Sequence, residues 1–185
     1  MKTITEAIDY VIKFNNMKYV LANYTDLEMK DGPPFWNTNT PPPSIDHVKK
    51  YGSCCTGLPN LVRRYLGLEI PGNITGYKKN ICIGGTDAWF SYLKSKNMLQ
   101  KIDINKDYPK GTLLLQNYNK NDQGHLSITI NSNIKGLQFS DIIHNINGTW
   151  NNKKYNSVVI EKFIEYPYKE RYTHISLPEN WLLIN

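Results

Sequence analysis

The sequence predicts an α+β domain in which N-terminal helices pack on an antiparallel β-sheet. Three observations carry that expectation. Apolar residues in the first hundred positions recur at helical spacing. From about residue 111 they alternate with polar residues, the period of half-buried strands. Helices come first and a run of strands follows, the order of an α+β rather than an alternating α/β chain.

Each element has its own warrant. Ile4, Ala7, Ile8, Val11, Ile12 and Phe14 make one stripe, which predicts a helix from about Thr5 to about Asn15 with Thr5 as its cap. Residues 30–46 carry five prolines, which forbid a regular helix or central strand. The adjacent Phe35 and Trp36 in that polar segment predict an ordered loop pinned by buried rings, lying over or beside a cleft. Leu58, Leu61, Val62, Tyr65 and Leu66 form a helical face, and Pro59 is tolerated only in a first turn, so this helix begins close to Thr56. Gly67 ends it. Ala88, Trp89, Tyr92 and Leu93 predict another helix capped by Thr86. Strands follow at Thr112–Gln116, at Leu126–Ile130 with His125, Ser127 and Thr129 on the opposite face, at Ile142–Ile146 and at Val158–Phe163. The Asn117–Gly124 link reads as a polar hairpin loop.

Composition bounds the function. The 185 residues suit one domain spanning the chain, with 40% hydrophobic and 21% charged residues, outside the range of coiled coils and disordered chains. No apolar run is long enough to span a bilayer, and the first residues lack a secretory signal, so a cytoplasmic protein is expected. Three cysteines, Cys54, Cys55 and Cys82, are too few and odd in number for a disulfide framework and lack paired metal spacing, so free thiols and no metal are expected. The net charge of +6 raises nucleic-acid binding as one reading. The basic pairs Lys49-Lys50, Arg63-Arg64, Lys78-Lys79 and Lys153-Lys154 are scattered, however, and a solvated basic surface accounts for them.

Chemistry concentrates at the helix that Pro59 bounds. The proline places Cys55 at a helix N-terminus, a position that lowers a thiol pKa and favours the nucleophilic thiolate. Cys54 is one residue further out, and its side chain is expected to point elsewhere. Gly57 is expected to leave room for a substrate and for the strand that bears the general base. A histidine elsewhere in the chain must supply that base. His125 opens a strand and lies opposite its apolar face, where a helix end packed on the sheet can meet it. His144 shares its strand face with Ile142 and Ile146 and is the candidate to orient His125, with His174 as the alternative.

These residues resemble NlpC-type cysteine peptidases, a papain-like superfamily. Cys54-Cys55-Thr56-Gly57-Leu58 resembles the family's Asp-Cys-Ser-Gly-Phe/Leu motif, with Cys54 in place of Asp. Pro109-Lys110-Gly111-Thr112-Leu113, then Gly124-His125-Leu126-Ser127-Ile128, resembles the Pro-Gly-Asp-Leu strand followed by His-Val-Gly-Ile-Tyr. Ile142-Ile143-His144-Asn145 resembles the later Ile-His-Ala element, and Met17-Lys18-Tyr19-Val20 the Pro-Tyr-Val segment. The Phe-Trp and Pro-rich insertion is similar to those of members from large DNA viruses, which implies host cytoplasm or virion as the setting.

The resemblance implies a papain-like fold and hydrolysis of amide bonds without a cofactor. Peptides, peptidoglycan stem peptides or a host protein would be the substrates. Cys55 would be nucleophile, His125 base, His144 the orienting residue and the Cys55 N–H an oxyanion donor. Tyr19, and Trp36 as a groove wall, would contact substrate. A catalytically silent peptide- or polymer-binding member is the alternative from a different class, and a basic nucleic-acid-binding protein is another.

Overall fold

The computed structural model describes residues 2–20, 34–72, 82–117, 122, 124–150 and 152–182. Five helices and six strands stand among them. The helices are α1 (Ile4–Ile12), α2 (Ile45–Tyr51), α3 (Gly57–Leu66), α4 (Thr86–Ser95) and α5 (Pro178–Trp181). The strands are β1 (Gln100–Lys101), β2 (Leu113–Gln116), β3 (His125–Thr129), β4 (Asp141–Trp150), β5 (Lys153–Lys162) and β6 (His174–Ser176). They form one antiparallel sheet in the order β1-β6-β2-β3-β4-β5. Among the described residues no helix is long and apolar enough to cross a membrane.

The expected α+β order is found, with shifts at the helix starts. Helix α1 is capped by Thr3, not Thr5: its hydroxyl accepts from the Glu6 N–H while the Glu6 carboxylate accepts from the Thr3 N–H. That reciprocal box needs Glu at the third helical position, which only a start at Ile4 provides. Gly85 rather than Thr86 caps α4. Helix α3 begins at Gly57 and ends at Gly67, whose φ of 77° is the left-handed cap that favours glycine. The hairpin loop expected at 117–124 falls mostly outside the described residues. Its flanking strands β2 and β3 pair with Gln116 opposite His125.

The sheet is buried on both faces. Leu113, Leu115, Leu126, Ile128, Ile143 and Val158 meet α1, α3 and α4 in one core. On the opposite face Leu114, Ile142, Ile146 and Ile175 lie beneath Phe163, Tyr166 and Tyr172 from the connection between β5 and β6. Alternation along the strands sends successive residues to these two cores, and it places His125 and His144 in the second, away from the helices.

The proline-rich loop is ordered over its described part, residues 34–44. Trp36 is 1% exposed and its indole N–H donates to the Gly52 carbonyl at 3.0 Å, whereas Phe35 is half-buried. Asn60 of α3 donates to the Phe35 and Gly84 carbonyls at 2.8 and 3.1 Å and accepts the Trp89 indole N–H at 2.8 Å. Arg64 donates to the carbonyls of Thr40 and Pro41 at 2.8 and 2.7 Å. Arg63 donates to the carbonyls of Glu69 and Trp181. The expectation that Arg63-Arg64 belongs to a solvated surface is therefore corrected: both side chains are buried, and their fixed donors satisfy carbonyls of loops and of the last residue of α5.

Candidate active site

Cys55 immediately precedes the α3 cap residue Thr56. Cys54 is buried, with its sulfur 3.2 Å from the Thr56 hydroxyl. Cys55 is half-buried and lines a cavity of about 390 Å³ together with Tyr19, Gln116, His125, Asn145 and Arg171. Backbone N–H groups of Leu126, Thr56 and Cys55 itself point at its thiol. Gly57 serves a different purpose from the one expected. A Cβ there would lie 1.9 Å from the Ser53 hydroxyl and 2.7 Å from the Pro34 carbonyl, so the missing side chain admits the polypeptide turn and not a substrate or the histidine strand.

Three strand-level features bring the other groups to the thiol. Residues 17–20 run along the edge of β5, with the Tyr19 N–H donating to Asn156 at 3.0 Å, and the Val20 N–H donating to Ser53 at 2.8 Å. Tyr19 thereby reaches the Cys55 turn despite the 35 residues between them in sequence. The Asn145 amide of β4 donates to the Ser53 carbonyl at 2.6 Å and ties the sheet to the same turn. Asp122 accepts from Gln116, Gly124 and Arg171 at 2.7, 3.0 and 3.2 Å, which sets the entry into β3.

The two expected histidines meet. His125 Nε2 lies 3.0 Å from His144 Nδ1, and His144 Nε2 lies 2.8 Å from Glu161 Oε1. Tyr166 flanks both rings, at 5.8 Å from His125 and 4.7 Å from His144 between centroids. His174, the alternative third member, lies on β6 against Phe90, in a separate cleft with Lys94 and Lys101. Trp36 lies outside the cavity lining, so its expected place as a groove wall is corrected: it anchors the loop whose neighbour Gly52 leads into the Cys55 turn. His125, expected where a helix end can meet it, shares the cavity with Cys55 at the start of α3. Cys55 is met at the leading end of β3, by the Leu126 N–H, and not through the helix-facing core.

Burial dominates the electrostatics. It pushes the Cys55 thiol well up, and the neighbouring Cys54 adds to this; the three N–H groups oppose it with smaller effect. The lowered thiol expected from a helix N-terminus is thus corrected, because Cys55 sits before the cap and is desolvated. Burial also holds His125 well below its ordinary 6.5, helped by His144 and then Arg171. His144 is lowered by burial, with the Glu161 hydrogen bond and charge opposing. Burial thus favours the neutral form of both the Cys55 thiol and the His125 imidazole.

Sequence reasoning missed Glu161, Tyr166 and Asn145. A signal existed for Glu161 alone: His144 pairs with Val159, so Glu161, two residues on, shares the His144 face once the β4–β5 register is known. Among the described residues no three metal-ligating side chains gather. No family model, curated protein or solved structure matches this chain. Fold and cavity together define a mixed α+β protein with a thiol and a buried histidine pair at one polar site.

Proposed function

We propose that the protein is a cysteine hydrolase that cleaves amide bonds through Cys55, His125 and His144 on a papain-like scaffold of the NlpC kind, with peptides, including peptidoglycan-like stem peptides, as substrates. The observation that carries this reading is the shared cavity: Cys55 and His125 both line it, and His125 is engaged through Nε2 by His144. That engagement leaves His125 Nδ1 as the ring nitrogen for the thiol proton.

The chemistry follows from these positions. As the Cys55 sulfur attacks the carbonyl carbon, its proton passes to His125 Nδ1. The backbone N–H groups of Cys55 and Thr56, in the turn that leads into α3, would serve as donors to the developing oxyanion. The C–N bond then breaks, and the His125 proton goes to the leaving nitrogen, releasing the amine and a thioester on Cys55. Water attacks the thioester with His125 again taking its proton, and the carboxylic product leaves with the thiol restored. Protein groups and water carry every one of these steps.

Turnover of a peptide library by wild type, Cys55→Ser and Cys54→Ser tests the reading. Cys55→Ser is expected to lose at least about a thousandfold, while Cys54→Ser keeps most activity, its thiol being held away on Thr56. Peptides that bind but stay uncut by the wild type would make this a binding protein. Turnover that survives Cys55→Ser would remove the nucleophile assignment.

A further inference from the structure

We propose that Glu161 is a positioning residue that fixes the tautomers of both buried histidines and so creates the base at His125 Nδ1. The inference rests on the hydrolase reading for its consequence, but its geometric content stands apart from it.

Glu161 is the one group in this hydrogen-bonded chain with no choice of role. A carboxylate only accepts, so at 2.8 Å from Glu161 Oε1 the His144 Nε2 carries the proton. His144 is buried and held below its ordinary pKa, so the ring is neutral and its Nδ1 is a lone pair. At 3.0 Å from that lone pair the His125 Nε2 must donate. His125 is likewise buried and neutral, which leaves its Nδ1 unprotonated. One carboxylate at the far end thus dictates the protonation of a nitrogen two rings away.

The surroundings keep the chain from being rewritten. His144 has no exposed surface, and the Glu161 side chain is 11% exposed, so little water is at hand to substitute as acceptor. Tyr166 packs edge-on against His144 and nearly parallel to His125, which restricts both rings. Glu161 stands on β5 opposite Ile142, two residues along from the partner of His144, so the sheet register delivers it to the ring. Outer partners of this kind orient the groups that do the chemistry, and in metal sites their loss costs about 10- to 100-fold in function.

The test reads tautomers directly. Two-bond ¹H–¹⁵N correlation spectra of the histidine rings in the full chain are expected to show His125 and His144 both as the Nε2–H form near pH 7.5. His144 in the Nδ1–H form in the wild type overturns the proposal, whatever any variant does. In Glu161→Ala both rings are expected to become tautomer mixtures, with kcat lowered about 10- to 100-fold and KM within about twofold, since Glu161 does not line the cavity. Glu161→Gln, which keeps an acceptor without the charge, is expected to restore the Nε2–H pattern and most of kcat. Unchanged ring spectra in folded Glu161→Ala would refute the positioning role. Because the spectra need no substrate, absence of turnover in the wild type would sink the hydrolase reading while leaving the tautomer result to be judged by itself.

Discussion

Gly57→Ala is the perturbation whose cost is most directly readable. The new methyl would sit 1.9 Å from the Ser53 hydroxyl, 3.3 Å from the Ser53 Cβ and 2.7 Å from the Pro34 carbonyl. Overpacking of a well-filled site costs about 1–3 kcal/mol. The Ser53 hydroxyl must also swing away from the Pro34 and Cys54 carbonyls, to which it donates at 3.2 and 3.0 Å. The single hydroxyl proton is shared between the two carbonyls, a bond worth about 1 kcal/mol. Alanine's better helix propensity returns at most about 1 kcal/mol, so a net loss of about 1–3 kcal/mol is expected. With a urea slope of about 2 kcal/mol/M, the unfolding midpoint falls by about 0.5–1.5 M at unchanged slope. Adding Ser53→Ala removes the nearest clash but not the Pro34 one, so the double variant is expected to recover part of the loss, a coupling of about 1 kcal/mol. A midpoint within about 0.3 M of wild type would refute the reading of Gly57 as the space that the Cys55 turn requires.

Two further outcomes follow from the burial around the site. Trp36→Phe leaves the buried Gly52 carbonyl without the indole N–H, a loss of about 1–3 kcal/mol. The melting temperature should fall while KM for any cleaved peptide stays within about twofold, since the ring is outside the cavity; a large KM change would return Trp36 to the groove wall. Stability should also pass through a pH plateau. His125 and His144 are lowered below 6.5 by burial, so the unfolded chain binds more protons below that pH and stability is lost as pH falls from about 6.5 toward their folded values. Cys55 and Cys54 are raised above 9.0, and Tyr10 is raised from 10.0 to about 12, so stability is lost as pH rises past about 9. Melting curves across pH 4–11 check this; a maximum below about pH 6 would contradict neutral buried imidazoles.

The α+β order, the boundaries of α3 and the alternation of β3 were legible because each is local: Pro59 and Gly67 bracket one helix, and Leu126 and Ile128 alternate with His125 and Ser127. The pairing of His125 with His144 was also legible, since both are strand residues of matching face. What lay hidden depends on distant chain. That Arg63 and Arg64 are buried follows from the distant carbonyls of Thr40, Pro41 and Trp181, which no periodicity reports. The role of Gly57 depends on Pro34, and that of Glu161 on a strand register. The direction of the Cys55 shift was misread because sequence reveals a helix end but not how far the thiol is desolvated.

Transfer of the Cys55 proton to His125 is read by the pH dependence of Cys55 alkylation. For a neutral thiol beside a neutral imidazole, the fraction present as thiolate with imidazolium does not change with pH between the two pKa values. Iodoacetamide is therefore expected to modify Cys55 ahead of buried Cys54 and of Cys82, whose thiol burial raises to about 12, at a rate nearly flat between about pH 7 and 8.5. In His125→Ala that rate should drop at neutral pH and climb about tenfold per pH unit, as for an isolated desolvated thiol. A wild-type rate that itself climbs tenfold per unit, or one that His125→Ala leaves unchanged, would contradict the account.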